Sequence, residues 1–149
     1  MDSTQLQSEA EGLVLAAFDA GAALTLGRIL LDLAQADRLP VAIDIRTANQ
    51  TLFHAALPGA TPMNDLWARR KSSTALHFHE ASFLVGARNR EKGQTLADQG
   101  LDPADFADHG GAVPIRVRGS GVVAVATVSG LPQAEDHALV VRAIRLLRG

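Results

Sequence analysis

The chain has 149 residues, of which 47% are apolar and 20% charged, with a formal net charge of −2, the composition of an ordinary globular domain long enough to bury a core. So small a charge excludes a general attraction to nucleic acid, and the absence of cysteine excludes disulfides, thiolate metal centres and a cysteine nucleophile. The first ten residues lack the basic start and apolar core of a secretory signal, and no run approaches the roughly 20 apolar residues that span a bilayer; a cytoplasmic protein with no membrane and no nucleic-acid partner is expected.

Residues 12–18, Gly-Leu-Val-Leu-Ala-Ala-Phe, form an apolar run too short for periodicity to separate a buried strand from the end of a first helix. From Asp19 onward Ala22, Leu26, Ile29, Leu30, Leu33 and Ala34 recur at three- and four-residue spacing, one face of a helix that stops before Pro40. Val41–Thr47 alternates, with Val41, Ile43 and Ile45 on one side and Asp44 and Arg46 on the other, as a half-buried strand does. Ala48-Asn49-Gln50 turns the chain into a second strand over Thr51–Leu57, and the hairpin ends at Pro58-Gly59.

Thr61 or Asn64 caps the next helix, which carries Asn64, Trp67, Lys71 and Phe78 near one face and the small residues Ala68, Ser72 and Ala75 on another, where a neighbour can approach closely. Residues 86–112, rich in Gly, Asp, Gln and Lys, read as an ordered connection holding a helical turn. Val113, Ile115 and Val117 then alternate with Pro114, Arg116 and Arg118, Gly119-Ser120-Gly121 turns the chain, and Val122–Val128 returns as an apolar central strand. A last helix begins near Pro132 and buries Ala134, Ala138, Val141, Ile144 and Leu147. Two hairpins, an early strand and about three helices predict one α+β domain over residues 1–149, with a mostly antiparallel sheet of about five strands covered by helices.

Several stretches together carry a family resemblance. They are Leu26-Gly27, Leu39-Pro40-Val41-Ala42-Ile43, Leu52–Gly59, Asn64-Asp65-Leu66-Trp67 with Arg70-Lys71, His109-Gly110-Gly111 with Pro114-Ile115, and Val128-Ser129-Gly130-Leu131-Pro132 with Asp136-His137. In this order they resemble the uncharacterised protein family 0303, which is similar to the wider HbpS/GlcG-like group labelled haem-degrading. The resemblance implies a profilin-like antiparallel sheet, assembly into homo-oligomers, and haem as a candidate ligand. The chain departs from the family pattern at Ala112-Val113, where a third glycine and an aromatic precede Pro-Ile, and at Ala81-Ser82, where a serine pair follows the central helix.

Candidate site residues fall in three groups. Asp136 and His137 lie in the first turns of the last helix, where the macrodipole favours the carboxylate and opposes a protonated imidazole. They form either a ligand-binding pair joined by His109, or a helix cap beside a structural histidine. Asn64, Trp67 and Lys71, at i, i+3 and i+7, with Arg70 adjacent, can present an amide, an indole and two cations to an anionic or planar ligand; the competing reading places Trp67 in a core or subunit interface, with Arg70 and Lys71 pairing with acidic residues across it. Gly110, Gly111 and Pro114 complete the set through the 109–115 loop.

His77 and His79 diverge by roughly 200° on a helix, which disfavours a shared metal, and no metal site is expected. His54, on the polar side of its strand, is read as a surface or interface histidine. Gly119-Ser120-Gly121 lacks the third glycine and the following helix of a nucleotide fingerprint, and Ser129 lacks the glycine spacing of a nucleophile elbow. The leading expectation is a homo-oligomer that binds a small anionic or planar ligand, with haem or a related tetrapyrrole among the candidates. An oligomeric scaffold and a haem-degrading enzyme are the alternatives.

Overall fold

The computed structural model describes Met1–Gly149. In chain order its elements are α1 (Ser3–Glu11), α2 (Ala20–Ala36), β1 (Ala42–Arg46), β2 (Thr51–Ala56), α3 (Pro62–Phe78), α4 (Ser82–Lys92), β3 (Ala112–Val117), β4 (Gly121–Ser129) and α5 (Gln133–Arg148). The α+β arrangement is the expected one, with four strands in the order β2-β1-β4-β3 and every neighbouring pair antiparallel. The early apolar run supplies no fifth strand: it is extended chain that makes one parallel bridge, Leu15 to Val117. No helix is long and apolar enough to cross a membrane.

Pleating divides the sheet into two unlike faces. Val41 just before β1, Ile43 and Ile45 of β1, Val113 and Ile115 of β3, and Ala124, Ala126 and Val128 of β4 pack with Leu26 and Leu30 of α2 and with Val140, Val141 and Ile144 of α5 in the main apolar core. The opposite face lies under α3 and is mixed: Asp44, Thr127 and Ser129 are buried there beside Ala112 and Val125, which pack against Ala75. β1 is therefore buried on both faces, where alternation predicts half-burial. Asp44 is tolerated because its carboxylate accepts from Arg46 Nε at 2.5 Å and from Arg46 Nη2 at 2.8 Å, and lies 2.9 Å from His54 Nδ1. His54 also reaches Asp65 through Nε2 at 3.3 Å, so it bridges the hairpin to α3.

Three local features differ from the sequence reading. The connection starts at Gly93, because Ser82–Lys92 forms a full helix that buries Phe83, Leu84, Val85, Ala87 and Asn89. Its polar composition and Gly86 conceal that helix, yet the glycine has a packing reason: a Cβ there would stand 1.9 Å from the Asp108 carbonyl oxygen. In α5 the buried face is Asp136, His137, Val140, Val141, Ala143 and Ile144, while Ala134 and Ala138 are exposed; two polar side chains share the inward stripe, which shifts it from the apolar pattern. At the N-terminus, Asp2 accepts from Gln5 N at 2.8 Å, Gln5 Oε1 accepts from Asp2 N at 2.9 Å, and this reciprocal cap starts α1.

Candidate functional site

Thr61 precedes α3 and Pro62 opens it, with Asn64 Oδ1 accepting from Thr61 N at 2.8 Å. The small residues Ala68, Ser72 and Ala75 let the helix lie close on the mixed face of β4, where Ser72 Oγ and Thr127 Oγ1 are 2.8 Å apart. Between them, Lys71 points inward. Its ammonium donates to Asp136 Oδ2 at 2.9 Å, Gly110 O at 2.9 Å and Val128 O at 3.2 Å, using all three protons.

Asp136 is equally occupied. Besides Lys71, its carboxylate accepts from Leu131 N at 2.9 Å and Gly130 N at 3.3 Å, in the first turn of α5 where the helix dipole favours negative charge. Burial pushes the Lys71 ammonium below the ordinary lysine range and the Asp136 carboxyl above the usual carboxylate range, and their mutual attraction and hydrogen bonds oppose both shifts. With all three ammonium protons and both carboxylate oxygens engaged, the geometry is that of a paired ammonium and carboxylate. This pair ties α3, the end of β4, the start of α5 and the Gly110 loop to one point. Gly111 makes the junction available: it has a φ of 142°, and a Cβ there would come within 2.6 Å of Lys71 Nζ and 2.4 Å of Val128 O.

Above the pair opens a cleft of about 250 Å³, lined by Asn64, Trp67, Lys71, His109, Ser129, Gly130, Leu131, Gln133 and Asp136. Trp67 and His109 meet edge to face, with ring centres 5.2 Å apart. The Arg70 guanidinium lies 4.4 Å from the centre of the Trp67 ring, and its Nε donates to Pro103 O at 3.0 Å. Gln133 Oε1 accepts from Gly110 N at 2.9 Å and braces the loop that carries His109. Burial, joined by the nearby cations Arg90, Lys71 and Arg70 and opposed by Asp108, holds the His109 imidazole below the ordinary histidine range. At neutral pH this half-exposed ring is therefore neutral, with one nitrogen able to donate and one to accept.

The structure thus brings Asn64, Trp67, Lys71, His109 and Asp136 together, with Arg70 against the indole and Gly110 and Gly111 behind the floor. Lys71 does not present a free cation to a ligand, because its three protons are held within the fold. His137 and Pro114 do not reach the cleft. Both line a separate cavity of about 10 Å³ beneath α1, where His137 Nε2 lies 2.6 Å from Glu9 Oε1 and Nδ1 has no partner. The joint reading of Asp136 and His137 as one ligand pair fails for a helical reason: adjacent residues point about 100° apart. Four further liners, Ser129, Gly130, Leu131 and Gln133, were not among the candidate site residues. The turn Ser129-Gly130-Leu131 between a central strand and a helix was the available signal, whereas the brace from Gln133 to Gly110 spans 23 positions and leaves none.

Comparison with known proteins follows the same fold. A family model described as "Haem degrading protein HbpS-like" matches residues 18–145. A UPF0303 protein of Streptomyces avermitilis is 49% identical over 141 residues, covering 94% of this chain and 86% of the relative. One from Burkholderia thailandensis is 49% identical over 145 residues, covering 97% and 88%. Among solved structures, the Ybr137w protein superposes with a TM-score of 0.90 at 31% identity, covering 99% of this chain and 88% of that one. HbpS gives a TM-score of 0.71 at 25% identity, covering 89% and 90%. A haem complex of PduOC, at 21% identity and a TM-score of 0.72, covering 87% and 94%, shares the fold.

Proposed function

The chain belongs to the HbpS-like family, among its UPF0303 members, and we propose that it is a binding protein for a small planar anion held in the cleft over Lys71 and Asp136. One observation carries the reading: Trp67, His109 and Arg70 converge on a single opening whose floor is fixed by a buried ion pair. The indole and the neutral imidazole offer stacking and directed hydrogen bonds, and the Arg70 guanidinium supplies the charge that Lys71 withholds. A site whose walls are already braced loses little conformational freedom on binding.

The family description implies haem, and the residues present do not fit a buried macrocycle. Only two of the nine liners, Trp67 and Leu131, are apolar, and a cleft of about 250 Å³ lies below the roughly 300–1,000 Å³ of sites that bury drug-sized ligands. The exposed nitrogen available for iron is that of His109, at the mouth and not above an apolar floor. No catalytic step is assigned. Homo-oligomer formation belongs to the same proposal, supported by exposed Met63 and Leu66, three residues apart on the first turns of α3 beside Trp67.

Trp67 is the only tryptophan, so its fluorescence reports on the cleft directly. Titration with nicotinate, a small planar carboxylate, is expected to quench it saturably, and His109→Ala and Arg70→Gln are each expected to weaken binding about tenfold, the effect of roughly 1.4 kcal/mol. Haemin followed at the Soret band is expected to bind no more weakly to His109→Ala than to the native chain. Light scattering on the same samples is expected to give a multiple of the 15.7 kDa chain mass. Quenching that neither substitution weakens, or a haemin site abolished by His109→Ala, contradicts the small-anion reading; a 15.7 kDa species contradicts assembly.

A further inference from the structure

The cleft does not end at His109. The same ring also lines a groove of about 350 Å³ along the 93–109 connection, with Arg70, Arg90, Gln94 and Asp108 on its polar side and Leu96 and Phe106 on its apolar side. Arg70 stands at the boundary, its guanidinium against the Trp67 ring on one side and in the groove on the other. Only its Nε is committed, to Pro103 O at 3.0 Å, so both terminal nitrogens remain open. The Arg90 side chain is exposed and makes no hydrogen bond or ion pair within the chain, although it lies at the last turn of α4, whose carbonyls are taken by the amides of Gly93 and Gln94. The one acid in the groove, Asp108, accepts from Asn89 Nδ2 at 3.0 Å through Oδ2, lies 3.7 Å from His109 Nδ1 through Oδ1 and is 20% exposed. Two guanidinium groups with free protons therefore face a groove that holds a single carboxylate, so its charge balance is positive.

We infer that cleft and groove form one site for a planar heteroaromatic ring bearing a phosphate monoester, the ring against Trp67 and His109 and the phosphate between Arg70 and Arg90. The inference rests on the cleft reading above and adds the chemical class of the ligand. A phosphate monoester carries nearly two negative charges and three acceptor oxygens, which matches two planar forks of donors better than a single carboxylate does. A sugar-length spacer connects ring and phosphate across the Arg70 boundary, and the neutral His109 adds no competing charge between them.

Calorimetry with adenosine and with adenosine monophosphate, on the full-length native chain and on Arg90→Gln, separates the two parts. Arg90 is an exposed surface residue, so its substitution is expected to leave the thermal midpoint unchanged. The monophosphate is expected to bind at least tenfold more tightly than adenosine to the native chain, and that ratio is expected to fall towards one in Arg90→Gln while adenosine binding stays constant. Equal affinity of the two ligands for the native chain, or a ratio that survives Arg90→Gln, overturns the phosphate subsite while leaving the ring-binding cleft intact. No binding of either ligand also overturns the inference, and the nicotinate titration then judges the cleft independently.

Discussion

At the scale of single residues, Lys71 and Asp136 decide what the site can be. Their side chains are 4% and 2% exposed, and a buried charge is tolerated only with its partner and its hydrogen bonds in place. Lys71→Met removes one charge and strands the other, so a loss of about 3–5 kcal/mol in stability is expected by urea denaturation. Adding Asp136→Asn to Lys71→Met removes the stranded charge, and the double variant is expected to be more stable than the single one. A double variant that is less stable than Lys71→Met would contradict the ion pair. The sequence made both residues visible as candidates, since a lysine at helical spacing from a tryptophan and an acid at a helix start each carry meaning. It could not show that they satisfy one another, because 65 positions separate them and no local pattern records such a contact. The same distance conceals that Asp136 is the acid with which Lys71 pairs, so the sequence left ligand binding and acid pairing both open for Lys71.

At the scale of elements, α1 is held by few contacts, and its docking is linked to pH. Leu6 is its one fully buried residue, Ser3 Oγ donates to Glu91 at 2.7 Å, and Glu9 meets His137 of α5 at 2.6 Å. The unpartnered Nδ1 fits a neutral imidazole whose Nε2–H donates to Glu9. Burial holds the His137 imidazole below the ordinary histidine range, against the pull of Glu9. Below the unfolded-state value of about 6.5 the unfolded chain takes up a proton that the folded chain resists, so the unfolded state binds more protons. The stability contributed is fully present above that value and is lost as the pH falls from it towards the folded value. His137→Gln is therefore expected to lose less of its urea midpoint than the native chain between pH 7.5 and 5.5; equal losses would contradict this role. Strong periodicity made α2 and the two hairpins legible, and α3 was legible from its cap and its face of small residues. In α4 and α5 polar residues occupy the buried stripe, at Asn89, Asp136 and His137, so hydrophobic spacing alone lost the first and rotated the second.

At the scale of the whole molecule, the sheet's division into an apolar and a mixed face is the organising fact. α2 and α5 consume the apolar face, and α3 covers a face whose buried Asp44 and Thr127 need hydrogen bonds beside the apolar Ala112 and Val125. The cleft opens where that covering stops, at the end of β4, beside the start of α5 and under the Gly110 loop. The α+β class and the family resemblance were legible because they follow from strand alternation and from motifs spread along most of the chain. Where the ligand surface lies was legible only in part, since the cleft draws its walls from three separate segments, α3, the loop at His109 and the stretch from Ser129 to Asp136. The central claim is that this cleft, and no other surface, takes a small planar anion. Its most direct test is a proton–nitrogen NMR titration with nicotinate that follows the single Trp67 indole resonance together with the backbone amides. The account predicts saturable shifts confined to the Trp67 indole, the 109–111 loop and residues 130–133. An unmoved indole, or shifts concentrated on the cavity beneath α1 around Glu9 and His137, would contradict it.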